Sequence, residues 1–303
     1  MKNTIPACRP HAIAVACAML LPAPLLATEG GGSTYPHGAE NFVSGAMPPP
    51  GFYTLAYGTR YRATALRDND GRDIAAAMGG FRAEINAVVP RFIWVTPKQL
   101  LGGQLAFHAM LPLLDADVRI GPTRQKDSGI GDLNLAIALG YHVSPAFHYV
   151  LALEVNAPTG SYDRERIANL GRNHWNIEPV LALTYTQAKG INADLKIMAD
   201  YNFRNQDTNY RSGQELHADY ALGWGFGNGW VVGVGGYLYH QLTDDRVGGV
   251  TLPGHKGRAA TLGPSIKYQG KDGWFLTAKF ERQYGVRNRP DGSAFWIKTI
   301  LPF

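Results

Sequence analysis

Past residue 27 the chain contains no cysteine; its two, Cys8 and Cys17, both lie in the opening segment. A disulfide scaffold, a thiolate zinc site and a cysteine nucleophile are therefore excluded from the remainder. Long apolar runs are also missing. Beyond the first thirty residues nothing approaches the roughly 18 consecutive apolar positions of a membrane helix. Charge is sparse at 17% of residues, against about 25% in a typical water-soluble domain. The formal balance of +5 is too weak and too evenly spread to mark a nucleic-acid partner. What is plentiful is glycine, 36 residues, and aromatic side chains, 12 Phe, 15 Tyr and 6 Trp. With 45% hydrophobic residues there is ample surface to bury, which excludes disorder and favours a sheet protein with many turns.

Residues 1–27 read as a secretory signal peptide. Lys2 and Arg9 supply the positive start, residues 12–21 the apolar stretch, and Leu25-Leu26-Ala27 a cleavage site before Thr28. Pro22 and Pro24 cut the stretch too short for an anchor. Residues 28–50 are rich in Gly and Pro and fit neither helix nor strand. Their backbone needs water or protein partners, which makes this either a periplasmic segment or a plug folded into a lumen through Tyr35, Pro36, Glu40 and Phe42.

From Gly51 to Phe303 one pattern recurs about twelve times: alternating apolar and polar side chains, then a break. Tyr53, Leu55, Tyr57 and Tyr61 oppose Thr54, Ala56, Gly58 and Arg60; Phe81, Ala83, Ile85, Ala87 and Val89 oppose Arg82, Glu84 and Asn86. Later, Leu216, Tyr220, Leu222 and Trp224 oppose Glu215, His217 and Asp219. Residues 230–240 blur at Gly235-Gly236, as a bulge would. Such alternation puts one face of each strand in an apolar medium and the other in a polar one. The breaks alternate in length. Pro97-Lys98, Ser144-Pro145, 188–190, 227–229 and 270–272 read as tight turns, and 63–79, 115–129, 159–173, 205–213, 242–257 and 285–292 as long connections. Short turns on one end and long loops on the other are how transmembrane barrels are built, and lipid, which offers no hydrogen bonds, requires the sheet to close. The expected fold is all-β: a closed antiparallel outer-membrane barrel of about twelve strands with both termini in the periplasm and aromatic girdles that include Tyr53, Tyr61, Trp175, Tyr201 and Trp224.

On this reading the polar parity lines the lumen: Arg82, Glu84, His108, Asp132, Glu154, His174, Glu178, Asp194, Lys196, Asp200, Glu215, His217, Asp219, Lys279 and Glu281, with Arg60, Lys267 and Lys298 alongside. Opposite charges side by side point to a filled, salt-bridged interior, because a strongly ion-selective pore needs rings of one sign. Glu215, His217 and Asp219 would bind a metal only with convergent partners from neighbouring strands, and a polar face is the plainer reading. No cofactor is expected. Phe295, Ile297, Leu301 and Phe303 share one face of the last strand, an alternating end in Phe that looks like the signal read by the barrel-assembly machinery. Outer-membrane lipid and a small hydrophobic solute are the other expected partners.

Two other functions compete with passage of a solute. A barrel hydrolase would need a serine nucleophile, yet no G-x-S-x-G elbow occurs and Ser144 beside His142 falls in a periplasmic turn. A structural or adhesive barrel would act through the loops at 63–79 and 159–173.

Four stretches carry a family resemblance: the N-terminal segment around His37-Gly38-Ala39-Glu40-Asn41-Phe42, Gly129-Ile130-Gly131-Asp132, Gly171-Arg172-Asn173-His174-Trp175-Asn176-Ile177-Glu178-Pro179, and Ser212-Gly213-Gln214-Glu215-Leu216-His217-Ala218-Asp219. With these the chain resembles the outer-membrane transporter family associated with meta-pathway phenol degradation. The resemblance implies a barrel channel for passive uptake of aromatic or other hydrophobic compounds, located in the outer membrane of a Gram-negative bacterium, and no enzymatic activity.

Overall fold

The computed structural model describes residues 28–302, so the signal-peptide reading of 1–27 and the terminal Phe303 lie outside the described residues, as does the Leu301 side chain. The strands are β1 (Gly51–Leu66), β2 (Phe81–Leu100), β3 (Gly103–Met110), β4 (Leu113–Ile120), β5 (Thr123–Ile130), β6 (Leu133–His142), β7 (Phe147–Ala157), β8 (Asn176–Tyr185), β9 (Lys189–Asn202), β10 (Tyr210–Arg211), β11 (Glu215–Phe226), β12 (Trp230–Gln241), β13 (Arg246–Val247), β14 (Val250–Thr251), β15 (Arg258–Gln269), β16 (Phe275–Arg287) and β17 (Pro290–Pro302). β1 pairs with β2 on one side and β17 on the other, so the sheet closes into a twelve-stranded antiparallel barrel. Two staves are each built from two strands. β3 continues into β4 past Leu111-Pro112, and β5 into β6 past Gly131-Asp132, because β2 is bonded to β3 along its lower half and to β4 along its upper half. Closure pairs both sides of β1 and β2 within the barrel wall, which is what a sheet in lipid requires, and only the β4–β5 extension keeps a free edge in that sheet among the described residues, along β5.

Several boundaries differ from the sequence reading, each for a local reason. β2 runs on through Pro97-Lys98 with a register shift, and the reversal falls at Leu101 and Gly102, both at positive φ. Residues 115–129 form the β4–β5 hairpin, turning where Gly121 takes a φ of +57°. The connection at 285–292 shrinks to Asn288-Arg289, with Asn288 left-handed at φ 52°. At Gly235-Gly236 there is no bulge: the β12–β15 register is the same before and after, and the polar parity carries straight through.

The largest correction concerns the first two strands, whose faces are the reverse of the expectation. Leu55, Tyr57, Ala87 and Val89 point inward and are buried, in one cluster with Tyr35 and Ala39 of the N-terminal segment and with Val180, Met198, Phe275 and Trp296 of the surrounding wall. Arg60, Arg82 and Asn86 point outward instead of lining the lumen. So does Glu84, which ion-pairs with Arg82 at 2.8 Å and Arg62 at 3.4 Å on the outer surface. Tyr53 and Tyr61 leave the girdle for the same reason: Tyr61 Oη bonds Gln283 and Tyr53 Oη donates to the Pro49 carbonyl. An inward apolar face is stable here because the lumen beside it holds protein and not water. Low on the same wall Phe52, Val88, Phe92 and Trp94 give β1 and β2 an apolar outer face too, so alternation alone cannot tell the two sides apart. Labelling with a charged maleimide checks the assignment. Arg82→Cys is expected to react fully in the folded protein and Ala83→Cys only after heat unfolding; the opposite pattern would restore the original parity.

Candidate functional site: an occupied lumen

Residues 28–50 run through the barrel from end to end. At up to about 3.3 Å per extended residue they are long enough to pass a hydrocarbon layer of about 30 Å. Thr28 lies at the long-loop end, where its N–H donates to Asp245 Oδ2 at 2.9 Å, and Glu29 accepts from Asn205 at 2.8 Å and Tyr162 at 3.2 Å. Burial pushes the Asp245 carboxyl up from its ordinary range, while hydrogen bonds from Tyr210, Gly213, Thr28 and Gln241 pull the other way. Twenty-odd residues later the segment leaves through the short-turn end and becomes β1 at Gly51, beside Pro302 of β17. The expectation of both termini at one end thus fits the first and last strands but not Thr28.

Between these ends the segment is held by inward side chains of the wall. Ser33 Oγ donates to Glu215 at 2.6 Å and accepts from Arg289 at 2.9 Å. One carboxylate, Asp219, receives Tyr35 Oη, the Gly38 N–H and the Glu40 N–H, each at 2.8 Å. Gly38 has a φ of +85°, and a Cβ there would come within 2.2 Å of Glu281 Oε1, so only glycine lets the backbone lie this close to the wall. Glu40 then meets a cationic pocket: Lys298 Nζ at 2.8 Å, Arg91 Nη1 at 3.3 Å and Tyr57 Oη at 2.9 Å, while Lys279 and Lys298 also bond the Glu40 and Phe42 carbonyls. Asn41 accepts from Ser265 at 2.7 Å, and Phe42 is buried with Ala221 and Val231. Ser44 donates twice to Asp194, and the Gly45 N–H donates to Thr184. Pro36 is exposed within this path, though its carbonyl accepts the Ala39 N–H at 3.1 Å.

The remaining expected lumen residues fall into place around the segment. His108 takes a hydrogen bond from Arg91 at 2.8 Å and bonds Asn134 at 3.0 Å; Lys196 reaches Glu154 at 3.3 Å; Lys279 reaches Glu281 at 3.3 Å; Lys267 is buried on the same side. Asp132 and His174 sit at the long-loop end, where Asp132 accepts the N–H groups of Gly160 and Arg172. Glu215, His217 and Asp219 do not converge on one another. An amide ladder crosses the wall: Asn134, Asn156, Asn176 and Asn202 stand opposite one another on adjacent strands and each donates to the next at 2.8–2.9 Å, ending on Glu215. All four lie on the polar parity, so the signal was present, but only the register aligns them. Arg91 and Tyr57 were hidden by the reversed faces of β1 and β2.

Outside the lumen, at the long-loop end, a cavity of about 520 Å³ lies between the start of β8 and the end of β9. Trp175, Tyr201, Phe203 and Arg211 line it; Tyr201 and Phe203 meet edge-on at 5.2 Å, and the Arg211 guanidinium lies 4.9 Å over the Tyr201 ring. At the opposite end Ser144 is not aligned with a base. Its hydroxyl accepts the N–H groups of Ala146 and Phe147, and His142 is bonded to His148 at 2.8 Å.

Solved structures of similar architecture include an outer-membrane channel and an autotransporter translocator domain. The COG4313 outer membrane channel from Pseudomonas putida F1 superposes with a TM-score of 0.72 at 18% identity, covering 86% of this chain and 98% of that one. The translocator domain of the autotransporter NalP from Neisseria meningitidis gives 0.47 at 10% identity over 86% and 91% of the two chains. A Pseudomonas aeruginosa FadL homologue gives 0.42 at 10% identity over 90% and 96%. At 18% identity the likeness to the COG4313 channel speaks for the fold alone. No curated protein sequence matches significantly. Residues 63–299 match the model of a family described as a putative MetA-pathway of phenol degradation.

Proposed function

The chain belongs to the putative MetA-pathway phenol degradation family, and from that premise we propose that it is an outer-membrane channel for passive uptake of small apolar or aromatic solutes, gated by its own N-terminal segment. The observation that carries this reading is the lumen itself, filled by residues 28–50 through hydrogen bonds and ion pairs, every one of them reversible. A channel that admits apolar solutes must not leak ions and water, and a polar plug meets that need. The aromatic cavity at Trp175, Tyr201 and Phe203 supports the choice of solute, because aromatic rings meet edge-on or offset faces favourably. In this reading the protein catalyses nothing and works in the outer membrane of a Gram-negative cell after loss of residues 1–27. Lipid covers its outward parity, and the assembly machinery reads the strand that carries Phe295 and Ile297.

Uptake into proteoliposomes tests it, using a hydroxybenzoate too polar to cross the bilayer unaided and a sugar of similar size. The aromatic is expected to enter faster than the sugar. A Trp175→Ala, Tyr201→Ala double variant should lower aromatic uptake by roughly threefold to tenfold, the loss of two aromatic contacts, and leave the sugar unchanged. Equal rates for both solutes, or an unaffected double variant, would overturn the solute class.

A further inference from the structure

We propose that Glu178, Asp200 and His217 bind one divalent cation of the zinc class, in the lumen wall directly beneath the N-terminal segment. The three residues stand on adjacent strands β8, β9 and β11 and all face inward. One donor atom from each lies within 4.8 Å of the others; His217 Nε2 is 2.8 Å from Asp200 Oδ2 and 3.5 Å from Glu178 Oε2. Ligands around a tetrahedral zinc at about 2.1 Å are about 3.4 Å apart, so these distances already approach a coordination shell.

Charge argues the same way. Glu154 stands directly opposite Glu178 in the β7–β8 register, and Glu215 opposite Asp200 in the β9–β11 register. Like charges in such positions repel. Three of the four carboxylates have their own answer: Lys196 and Asn134 serve Glu154, Asn202 and Ser33 serve Glu215, and Asn176 donates to Asp200 Oδ1 at 2.8 Å. Glu178 has only the His217 ring beside it, at 3.5 Å. Its side chain is fully buried, and neither oxygen is hydrogen-bonded. A buried carboxylate without hydrogen bonds is costly. A dication shared with Asp200 and a neutral imidazole brings the charge of the group to zero, and the Asn176 bond fixes one carboxylate from behind, as outer partners of metal ligands do.

The segment supplies a candidate cap. The His37 ring meets the His217 ring edge-on with centroids 4.5 Å apart, and both His37 nitrogens are shielded from solvent and unpartnered. His37 would complete the set of nitrogen and oxygen donors that suits zinc, and so tie the segment to the wall.

Zinc titration of the full chain in detergent, stripped beforehand with a chelator, decides the matter, with cobalt absorption as a spectroscopic check. One Zn²⁺ per chain is expected, with a dissociation constant at or below about 10 µM at neutral pH, tightening as pH rises because binding must displace protons from the ligands. Glu178→Gln and His217→Ala should each weaken binding at least tenfold or so, the usual scale for loss of a ligand or its support. His37→Ala should weaken it less, and Asp117→Asn, on the outer surface, should not change it. Heat-modifiable mobility on gels establishes that each variant is folded. Absence of binding by the unaltered protein, or wild-type affinity in both Glu178→Gln and His217→Ala, would overturn the site and leave a protonated His217 between two carboxylates. Wild-type affinity in His37→Ala would overturn the cap.

Discussion

Deleting residues 29–49 is expected to raise single-channel conductance by roughly an order of magnitude or more, because the pore lining and its remaining charges then alone limit flow. The intact chain should show a small conductance with brief openings. The expectation rests on where the segment lies. From Thr28 against Asp245 to Gly45 against Thr184 it lies inside the barrel, and Leu55, Tyr57, Trp296 and Ile300 share a buried cluster with Tyr35 and Ala39. Deletion removes that packing and leaves Asp219, Lys298, Lys279 and Arg91 facing water. These charges hydrate readily once exposed, so the emptied lumen should fill with water and pass ions. The same deletion should reduce the preference for the aromatic over the sugar, since an open polar pore does not discriminate by apolarity. A conductance equal to that of the intact chain would rule out the gate and make the segment a structural filler.

The second large effect is expected at Asp219. Its carboxylate accepts three hydrogen bonds from the segment, two of them from backbone N–H groups of Gly38 and Glu40 and one from Tyr35. Asp219→Ala leaves three donors without an acceptor, each at a cost of about 1–3 kcal/mol if it stays buried. The cheaper outcome is for the segment to leave the wall and recover those bonds from water. The population of the released state should therefore rise steeply. Reaction of an Ala39→Cys reporter with a charged maleimide should accelerate by roughly two orders of magnitude, as opening becomes cheaper by several kcal/mol. Asp219→Asn keeps one acceptor oxygen and should fall between. Removing Glu40's carboxylate as Glu40→Gln tests the neighbouring latch, in which Lys298, Arg91 and Tyr57 converge. An Asp219→Ala variant whose reporter reacts no faster than in the parent would show that apolar packing alone retains the segment.

Much of the architecture can be read without coordinates, because closure of a sheet in lipid imposes a period of two and an asymmetry of turns that few other folds share. Parity turns Glu154, Glu178, Asp194, Lys196, Asp200, Glu215, His217, Asp219, Lys279 and Glu281 inward, and all are buried. The failures have specific causes. Arg82 and Glu84 read as inward because an apolar strand face in a barrel ordinarily meets lipid, and on β1 and β2 the apolar face meets the segment instead. The β4–β5 hairpin looked like a loop because β5 is polar on both faces and the outer face of β4 is charged, with Asp117 held by Arg124 and Lys126, although Leu114, Ala116, Val118 and Ile120 give β4 an apolar inner face. The Asn288-Arg289 turn looked like a long loop because Gly285 and polar residues flank it, although β16 stays paired with β15 up to Arg287 and β17 with β1 from Pro290.

Local chemistry along the chain determined that there would be a barrel, which end would carry the loops, and which strand faces could be wet, since each follows from backbone pairing and the alternation of side chains within one strand. Which face of β1 and β2 is inside, that the N-terminal segment crosses the whole lumen, and that Glu178, Asp200 and His217 meet were decided only by the tertiary structure. Those facts depend on the stagger between strands and on what fills the cylinder, and residues 150 or more positions apart, such as Ser44 and Asp194, share no local signal.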